Sequence, residues 1–487
     1  MTNKYQVVVY GASGYPGKLV AWKLATRGIP FIAAGRNAAR LEAEMAKVPE
    51  LKGHDYRCAA VAHDAASLQA LFSGAKVVIN VTGPFMQIGR PVVEAALAAG
   101  CHYFDPTGET DWMALLKAEF GPKFAARGLA LVPANSYMWA EGNLAAELAL
   151  ETPGIDTLDM VYLADSQVSV ASTLSFMRMC TRPQYYLQNK AFVAWPQATA
   201  YNVNVPGDHL PLLALPWGGG GEPIWYADDP RVRNCKVLVS FRNQEAFKAV
   251  FGLLQKFEAE AKHLSSAEQE AWTNEIGGLI SPPQEPPRED PDVNRCVLSC
   301  HGRGNTRSVS VIVRGNSPYA QTGAICAEAA RRALLGQLKA SGFASPTAVV
   351  GARNLLGSLA DDIERGDTIG FGVRGEVEDV VDEGLDGGAL LKCQLADMDQ
   401  FGGRVPDDLD PKQPLTGWVC DHLEQSLPGP RYLRSGDFLR YDDLTGSPPG
   451  TRSARAVEAG PRLSVLLRHA NLKLYFSYYR RTFHPWQ

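Results

Sequence analysis

The sequence predicts an α/β protein whose first part is a doubly wound parallel sheet. Two observations carry this prediction: six short apolar runs alternate with helical stretches, and polar or glycine-rich loops follow the runs. Continuous apolar runs are typical of parallel strands that are buried on both faces. We expect an α+β domain for substrate binding or dimerisation to follow, and then a C-terminal extension. The predicted domains are residues 1–135, 136–363 and 364–487.

The first predicted domain contains six strands that are joined by helices. The strands are expected at Gln6–Tyr10, Phe31–Ala34, Arg57–Val61, Lys76–Val81, His102–Phe104 and Leu129–Val132. A helix is expected over Pro91–Ala99, because proline suits a first helical turn and Gly100 follows its end. A longer helix is expected over Thr110–Arg127, closed by Gly128. In such sheets the ligand binds beyond the carboxyl ends of the strands.

The segment GASGYPG lies between the first strand and the first helix and predicts a dinucleotide-binding turn. Gly11 allows the tight turn, Gly14 lets the backbone approach a pyrophosphate, and Gly17 permits close packing of helix on strand. The helix N-terminus then offers free N–H groups to the phosphates. These features predict a Rossmann nucleotide-binding domain. Its predicted cofactor contacts in the turn are Gly11, Ser13, Gly14, Tyr15, Pro16 and Gly17.

The end of the second predicted strand distinguishes NADP(H) from NAD(H). NAD sites usually carry an Asp or Glu about 20 residues beyond the glycines, where it binds the ribose hydroxyls. Here that position reads Gly35-Arg36-Asn37, with Arg40 one turn further on. A guanidinium grips a phosphate bidentately, so we predict NADP(H), although Arg36 could instead stack on the adenine of either cofactor. The remaining predicted cofactor contacts are Arg36, Asn37, Arg40, Asp64, Thr82, Gly83, Pro84 and Asn135.

Three segments together resemble the saccharopine dehydrogenase-like oxidoreductases, which include saccharopine reductases and trans-acting enoyl reductases. They are GASGYPG, AAGRN and NVTGPFMQIGRPVVEAALAAGCHYFDPTGE. Weaker similarity continues at Thr173 and Ser175, and over Ser317–Leu334, which resembles a helix that returns to the sheet. The chain departs from the family at residues 135–139, after the sixth strand. The resemblance implies an oxidoreductase and does not choose among amino acids, lipids and polyketides as substrates.

Four residues are candidates for the proton transfer that accompanies hydride transfer to a carbonyl or imine. Tyr186 and Lys190 form a Y-x-x-x-K pair of the kind that short-chain dehydrogenases use, although roughly one such match is expected by chance. Asp105 follows the fifth strand, near the expected position of the nicotinamide, and Glu109 follows it closely. Both carboxylates could instead cap the helix that begins near Thr110, and we favour that role for Glu109.

The middle of the chain is rich in aromatic residues, namely Trp139, Tyr185, Tyr186, Trp195, Tyr201, Trp217, Trp225 and Tyr226. Between them, Leu215–Tyr226 (LPWGGGGEPIWY) predicts a flexible loop that suits a lid. Two interpretations stay open: an apolar pocket for a hydrophobic or aromatic substrate, or the core and dimer face of a second domain. Gln244–Gln269 predicts a helix, Ser281–Asp292 an exposed loop, and Arg295–Cys300 and Arg307–Val313 strands.

Composition limits the class of protein and its location. The net charge of −4 gives no reason to expect a nucleic acid partner. The nine cysteines are scattered, no apolar run reaches the length of a membrane span, and no secretion signal precedes the first strand. We therefore expect a cytoplasmic protein. No metal is expected, because Cys296, Cys300 and His301 lack further ligands and the two cysteines share a strand face.

The sequence therefore predicts an NADP(H)-dependent oxidoreductase that reduces or oxidises a C=O, C=N or activated C=C bond of a hydrophobic or aromatic small molecule. Two alternatives stay open. A saccharopine-like amino-acid dehydrogenase would need clustered arginines that bind α-carboxylates, and a non-catalytic sensor or partner protein would bind the dinucleotide without turnover. We expect a homo-oligomer, in the simplest case a homodimer. In the last predicted domain, Asp367–Val381 predicts a strand pair and Leu463–Tyr479 an amphipathic helix.

Overall fold

The computed structural model describes residues 4–180, 182–364 and 371–379. The predicted helix Leu463–Tyr479 and most of the predicted domain 364–487 lie outside these residues. Of the strand pair predicted over Asp367–Val381, the described part is the single strand Phe371–Asp379.

The strands of the described residues are β1 (Val7–Tyr10), β2 (Phe31–Gly35), β3 (Tyr56–Ala60), β4 (Val77–Asn80), β5 (His102–Phe104), β6 (Ala130–Val132), β7 (Ile155–Asp165), β8 (Tyr185–Gln188), β9 (Ala191–Ala194), β10 (Tyr201–Val203), β11 (Leu212–Leu215), β12 (Asn234–Phe241), β13 (Arg295–Gly304), β14 (Arg307–Asn316), β15 (Gly342–Phe343) and β16 (Phe371–Asp379). The α-helices are α1 (Tyr15–Thr26), α2 (Ala38–Met45), α3 (Ala65–Phe72), α4 (Phe85–Ile88), α5 (Arg90–Ala99), α6 (Thr110–Leu115), α7 (Gly121–Ala126), α8 (Tyr137–Ala149), α9 (Val170–Cys180), α10 (Glu222–Tyr226), α11 (Gln244–Glu260), α12 (Ser266–Ile280), α13 (Pro318–Leu334), α14 (Pro346–Val350) and α15 (Ala352–Glu364). Short 3-10 helices cover Pro49–Leu51 and Trp217–Gly219.

The first sheet is parallel throughout and has the strand order β15-β6-β5-β4-β1-β2-β3. All six predicted strands lie within one residue of the observed bounds, because β1, β2, β4 and β6 are buried along their whole length. The order reverses beside β1, which creates a crevice at the carboxyl ends of β1 and β4. This confirms the predicted fold class. The seventh strand, β15, lies in the chain between β14 and β16 of the second sheet.

Two predicted helices are interrupted in the structure. The helix expected over Thr110–Arg127 contains a π-helical turn, Leu116–Phe120, between α6 and α7. Pro122 follows this turn, and proline lacks the N–H that a regular α-helix would use there. The helix expected over Gln244–Gln269 ends at Glu260, because Ser265 begins α12 with a capping box that includes Glu268.

The second sheet is mixed and has the order β10-β11-β12-β7-β13-β14-β16, with the hairpin β8–β9 attached to β12. Helix α8 packs against β13 and β14, and α13 lies between α8 and α1 of the first sheet. One continuous apolar core therefore contains side chains from both sheets. Within the described part of the chain, no helix is long and apolar enough to cross a membrane.

Candidate functional site

The glycine turn after β1 is closely packed at Gly11 and Gly17 and has open space beside Gly14. Gly11 has a φ of +93°, and its N–H donates to the carbonyl of Ala34 over 2.9 Å. A Cβ on Gly17 would lie 2.5 Å from the carbonyl oxygen of Gly11, so α1 can pack this closely only with glycine there. A Cβ on Gly14 would meet the same oxygen at 3.4 Å and otherwise stand in open space. The open position is where a phosphate could approach the backbone.

The first turn of α1 has the backbone geometry of an anion site. Gly14 occupies the N-cap position, no side chain caps the turn, and Pro16 brings no N–H of its own. The uncapped N–H groups and the positive end of the helix dipole favour a bound phosphate. Ser13 lies beside the end of β2, with its Oγ 4.0 Å from the Cβ position of Gly35. These residues fit the pyrophosphate of a dinucleotide.

The irregular segment 281–292, predicted as an exposed loop, reaches this turn from the second half of the chain. Tyr15 donates its hydroxyl to the carbonyl oxygen of Pro287 over 3.0 Å, and burial raises the pKa of this tyrosine. The guanidinium carbon of Arg288 lies 3.5 Å from the centre of the Trp22 ring, and Arg288 also pairs with Glu50 at 2.6 Å. Tyr15 is thus held by protein groups, and its contact with a cofactor stays a prediction.

The loops after β2 and β3 carry the residues predicted for the adenosine end of the cofactor. Arg36 and Arg40 are exposed, as side chains that reach for a 2′-phosphate must be. Asn37 caps α2 by accepting the N–H of Arg40 at 2.9 Å, and Asp64 caps α3 by accepting the N–H of Ser67 at 2.8 Å. The hydrogen bonds to Ser67 lower the pKa of Asp64. Asn37 and Asp64 therefore have capping roles that the sequence analysis did not assign to them.

One histidine at this end of the sheet was not predicted. His63 follows β3, and its Nδ1 lies 2.7 Å from the hydroxyl of Tyr10, with the two rings stacked. Burial raises the pKa of Tyr10, and the nearby Arg36 guanidinium opposes that shift. Arg36, Tyr10 and His63 therefore lie close together beyond β1, β2 and β3. The position of His63 directly after a predicted strand was the signal that could have identified it.

The loop after β4 contacts the glycine turn directly. A Cβ on Gly11 would lie 2.6 Å from Cγ2 of Thr82, so the two loops meet where only glycine fits. Thr82 is held by Asn80, whose Oδ1 accepts its N–H at 3.1 Å and its hydroxyl at 2.5 Å. The following peptide bond, Gly83–Pro84, is cis. The structure thus brings the turn and the Thr82–Pro84 loop together in one crevice.

A buried carboxylate, Glu109, connects this loop to helix α9. It accepts the N–H groups of Phe85 at 2.7 Å and Met86 at 3.0 Å, in the first turn of α4. From α9 it accepts the hydroxyl of Ser175 at 2.9 Å and Nη1 of Arg178 at 3.0 Å. Burial raises the pKa of Glu109, and the Arg178 guanidinium opposes that shift. Glu109 thus has a structural role, as the sequence favours. The helix that it caps, however, is α4 and not the helix that begins at residue 110.

Asp105 is also fully buried, and its carboxylate is bonded on several sides. It accepts the indole N–H of Trp112 at 3.0 Å, the N–H of Thr107 at 3.1 Å and that of Ala134 at 3.4 Å. Burial raises the pKa of Asp105 to about 6, and these hydrogen bonds oppose the shift. The N–H of Asn135 donates to the Asp105 carbonyl at 2.8 Å. Asp105 therefore fixes the loops after β5 and β6, and its part in proton transfer stays a prediction.

Tyr186 and Lys190 lie on the β8–β9 hairpin of the second sheet. The Tyr186 ring packs against Trp195 with centroids 4.6 Å apart, and the Lys236 ammonium lies 4.9 Å from its centre. Lys190 occupies the hairpin turn with a φ of +67°, and its ammonium donates to the carbonyl of Asp229. The two side chains thus have separate partners, away from the crevice of the first sheet. Their role in proton transfer stays a prediction without support from their contacts.

The segment predicted as a lid is buried. Residues 218–221 are all inaccessible, and Gly218 and Gly219 have φ values of +85° and +96°. A Cβ on Gly218 would lie 2.4 Å from the sulfur of Met179, and one on Gly219 would lie 2.5 Å from the carbonyl oxygen of Tyr185. The glycines are therefore needed for close packing, and the prediction of a flexible lid was wrong.

Several aromatic residues of the middle region belong to the core. Trp139 and Trp217 are buried, and Trp217 stacks on Phe176 with centroids 4.0 Å apart. Trp139 meets Tyr162 edge to face at 5.4 Å. Of the two interpretations left open by the sequence, these contacts favour the core of a second domain.

Over residues 4–180, 182–364 and 371–379, no group of three or more His, Cys, Asp or Glu side chains could hold a metal ion. Cys296 and Cys300 lie on the buried face of β13, where burial raises the pKa of both thiols. His301 lies on the opposite face of β13, because successive side chains alternate between the two faces of a strand. Its Nδ1 lies 3.0 Å from the hydroxyl oxygen of Ser310. The two cysteines are core residues.

Two families match successive parts of the chain. Residues 7–126 match the saccharopine dehydrogenase NADP-binding domain, and residues 140–362 match a family of unknown function. The first match confirms the predicted resemblance and the prediction of NADP(H). The crevice is thus bordered by residues that match the saccharopine dehydrogenase NADP-binding domain and by residues that match the family of unknown function.

The chain is similar to several curated proteins over part of its length. A lipid droplet localized protein of Caenorhabditis elegans is 33% identical over 140 residues, which are 27% of this chain and 33% of that protein. A saccharopine dehydrogenase-like oxidoreductase of Mus musculus is 28% identical over 147 residues, 27% of this chain and 34% of that protein. A trans-acting enoyl reductase of Mycobacterium ulcerans is 34% identical over 109 residues, 22% and 26% of the two chains. The matches span between a quarter and a third of these relatives.

A solved structure, apo saccharopine dehydrogenase (L-Glu forming) from Saccharomyces cerevisiae, aligns with 76% of this chain and 99% of its own. The TM-score is 0.48 and the sequence identity is 13%.

Proposed function

We propose that this protein is an NADP(H)-dependent oxidoreductase that reduces or oxidises a C=O, C=N or activated C=C bond of a hydrophobic or aromatic small molecule. The observation that carries the proposal is the open face of the turn at Gly14, at an uncapped helix N-terminus and beside the loop after β4. When bound, the reduced cofactor would supply a hydride and the oxidised cofactor would accept one. Residues 136–363 are proposed to supply the substrate side of the crevice.

The residues present fit the parts of the cofactor. We propose that Gly11–Gly17 holds the pyrophosphate, Arg36 the 2′-phosphate, and the Thr82–Pro84 loop the nicotinamide end. Asn135 adds a further support, because its Oδ1 is buried and has no hydrogen-bond partner among the residues that the structure describes. A buried acceptor normally receives a hydrogen bond, and the carboxamide N–H of a nicotinamide is a suitable donor.

The contacts of Arg178 bear on the amino-acid dehydrogenase alternative, which needs arginines that are free to bind α-carboxylates. Arg178 is the buried arginine of α9 beside the crevice. Its guanidinium already donates to Glu109 at 3.0 Å and to both oxygens of Asp111 at 3.1 and 2.6 Å. This pairing favours a substrate without carboxylates.

A thermal-shift titration with NADPH, NADP⁺, NADH and NAD⁺ tests the proposal. The wild type is compared with Gly14→Ala, in which the new methyl group fits the fold but fills the open face of the turn. Gly252→Ala is the control, because Gly252 lies on the exposed face of α11 with nothing near its Cβ position. A ligand at a hundredfold excess over its Kd stabilises the folded state by about 2.7 kcal/mol.

We expect the phosphorylated cofactors to stabilise the wild type and Gly252→Ala, and Gly14→Ala to lose this effect while keeping its own melting temperature. No stabilisation of the wild type by any of the four dinucleotides would refute the proposal. The non-catalytic sensor is a separate alternative: it predicts tight binding without transfer of label from isotopically labelled NADPH to any compound of a library.

The cytoplasmic location and the homo-oligomer are proposals as well. The name of the Caenorhabditis elegans relative points to another location, the lipid droplet. Fractionation of cells that express a tagged chain, and size-exclusion chromatography with light scattering, would test the two proposals separately.

A further inference from the structure

Helices α1 and α13 run side by side, with their N-termini at the same edge of the first sheet. The rings of Tyr15 and Tyr319 meet edge to face with centroids 5.1 Å apart. Four residues further along both helices, a Cβ on Gly323 would lie 2.7 Å from the carbonyl oxygen of Leu19. Equal steps along both helices mean that the helices run in the same direction. Because α1 begins at the glycine turn, Tyr319 also lies at the edge where the cofactor is proposed to bind.

The hydroxyl of Tyr319 belongs to a chain of hydrogen bonds. It accepts the N–H of Ser169 at 2.9 Å and donates to Oγ of Ser172 at 2.8 Å. Oγ of Ser169 donates in turn to Oγ of Ser172 at 3.0 Å. Tyr319 and Ser172 are partly exposed, so the chain is open at Ser172. An N–H that donates to a phenol oxygen stabilises the negative charge that develops when the phenol loses its proton.

Helix α9 carries this chain across to the loop that follows β4. Ser172 and Ser175 are three residues apart and therefore lie on one face of α9. Ser172 contacts Tyr319, whereas Ser175 contacts Glu109, which holds the N–H of Phe85. One helix face thus links the first turn of α13 with the first turn of α4. Both turns border the crevice at the carboxyl ends of β1 and β4.

We propose that Tyr319 donates the proton in the reduction of a carbonyl substrate, and that Ser172 and Ser169 position its hydroxyl; this rests on the proposed function. The carbonyl carbon gains a hydride from the reduced nicotinamide cofactor, and the π electron pair moves to oxygen. That oxygen takes the phenolic proton of Tyr319, which gives an alcohol and the oxidised cofactor. The Tyr319 phenolate regains a proton from solvent through the hydroxyl of Ser172.

The hydroxyl groups of Tyr319 and Ser172 favour a carbonyl compound as the substrate. Tyr319 and Ser172 are neutral hydroxyl donors, which suit an oxygen that gains negative charge as a hydride adds to the carbon beside it. A carboxylate substrate would need a cation, and Arg178 is engaged by Glu109 and Asp111. Reduction of an activated C=C bond would instead need the proton delivered to a carbon atom. The hydroxyl chain therefore favours an aldehyde or a ketone.

The test uses para-nitrobenzaldehyde as the probe and compares five proteins: the wild type, Tyr319→Phe, Ser172→Ala, Ser172→Thr and the control Tyr185→Phe. Tyr185 lies on the β8–β9 hairpin and is 44% exposed, so its hydroxyl does not belong to the hydrogen-bonded hydroxyls of Tyr319, Ser172 and Ser169. The first readout is stabilisation by NADPH alone, measured as a thermal shift. The second is the additional shift that the aldehyde gives in the presence of NADP⁺, which cannot reduce it. The third is NADPH oxidation with the aldehyde.

We expect Tyr319→Phe to bind NADPH like the wild type, to lose the additional shift with the aldehyde, and to lose roughly a hundredfold or more in kcat. Ser172→Ala should lower kcat at an unchanged KM for NADPH, and Ser172→Thr should restore part of it. These serine variants also decide the outcome if Tyr319→Phe does not fold.

Turnover by Tyr319→Phe within about threefold of the wild type would overturn the proposal. A wild type that binds NADPH but neither binds nor reduces the aldehyde would overturn it as well. Absence of any NADPH binding is a different result, because it refutes the proposed function itself.

Discussion

Replacing Glu109 with glutamine should loosen the loop after β4 and weaken cofactor binding with it. The carboxylate accepts four hydrogen bonds in a fully buried position, from Phe85, Met86, Ser175 and Arg178. A glutamine keeps one oxygen and turns an NH₂ group toward donors. At least one of the N–H groups at the start of α4, or the guanidinium of Arg178, then loses its acceptor.

The size of the effect follows from the burial of the pair. Removing one partner of a buried ion pair costs about 3–5 kcal/mol, because the other charge stays buried. Arg178 keeps its two hydrogen bonds to Asp111, so its positive charge still has one carboxylate partner in the variant. The Asp111 side chain is 34% exposed, so this remaining attraction is screened by solvent. We therefore expect the free energy of unfolding to fall by about 3 kcal/mol.

Urea denaturation measures this change as a shift of the midpoint at constant slope. Glu119→Gln is the matched control: Glu119 pairs with Arg90 at 2.7 Å, but both side chains are nearly half exposed, so we expect a change of about 0–1 kcal/mol. Thermal shifts with NADPH should weaken in Glu109→Gln and stay unchanged in the control. The anchoring role of Glu109 is refuted if Glu109→Gln unfolds within about 1 kcal/mol of the wild type and keeps its full cofactor affinity.

Arg36→Ala should raise the Kd for NADPH roughly tenfold to a hundredfold and leave that for NADH unchanged, because it removes charge-assisted bonds to the 2′-phosphate; equal losses for both cofactors in calorimetric titrations would contradict this. Burial raises the pKa of Glu222 to about 8 from its usual 4.5, so the folded protein keeps a proton that the unfolded chain releases. Stability should therefore fall as the pH rises between these values, by about 1.4 kcal/mol per pH unit from this group. Glu222→Gln should remove that part of the slope in urea unfolding across the window, and an identical slope would disprove it.

The first sheet could be predicted because its strands leave a local signature. Val7–Tyr10 and Val77–Asn80 are buried along their whole length and, apart from Asn80, apolar or aromatic, since both of their faces are covered by helices. The strand Gly342–Phe343 could not be predicted in the same way. It has two residues, and its place beside β6 is fixed by its position in space rather than by any repeat in the sequence.

The site was predictable only in part. Gly11 has the backbone conformation and Gly17 the close packing that their spacing indicates. Both could be predicted because the contacts of such a turn join residues that are close together in the sequence. Asn37 and Asp64 are predicted cofactor contacts, and in the structure their side-chain oxygens cap helices. Their contact with the cofactor stays a prediction, because polar residues at strand ends serve both purposes. Tyr319 escaped prediction because its partners are about 150 residues away along the chain.

The crevice has two walls, one from residues 7–126 and one from residues 140–362, and these two segments match different family models. Residues 7–126, which match the saccharopine dehydrogenase NADP-binding domain, hold the glycine turn and the loop after β4. Helix α9, segment 281–292 and helix α13 all fall within residues 140–362, the family of unknown function. Substrate chemistry therefore has to be derived from the side chains of that second wall.

The two walls are also joined by hydrogen bonds that leave little freedom between them. Glu109 holds α9 to the first turn of α4, and Tyr15 holds segment 281–292 to the first turn of α1. Because each bond ends on a helix that borders the cofactor crevice, a change in the wall formed by residues 140–362 should alter cofactor affinity as well as turnover. Only a variant that removes an atom without moving either helix can separate the two effects. Tyr319→Phe is such a variant, since the ring that packs on Tyr15 is kept and only the hydroxyl is lost.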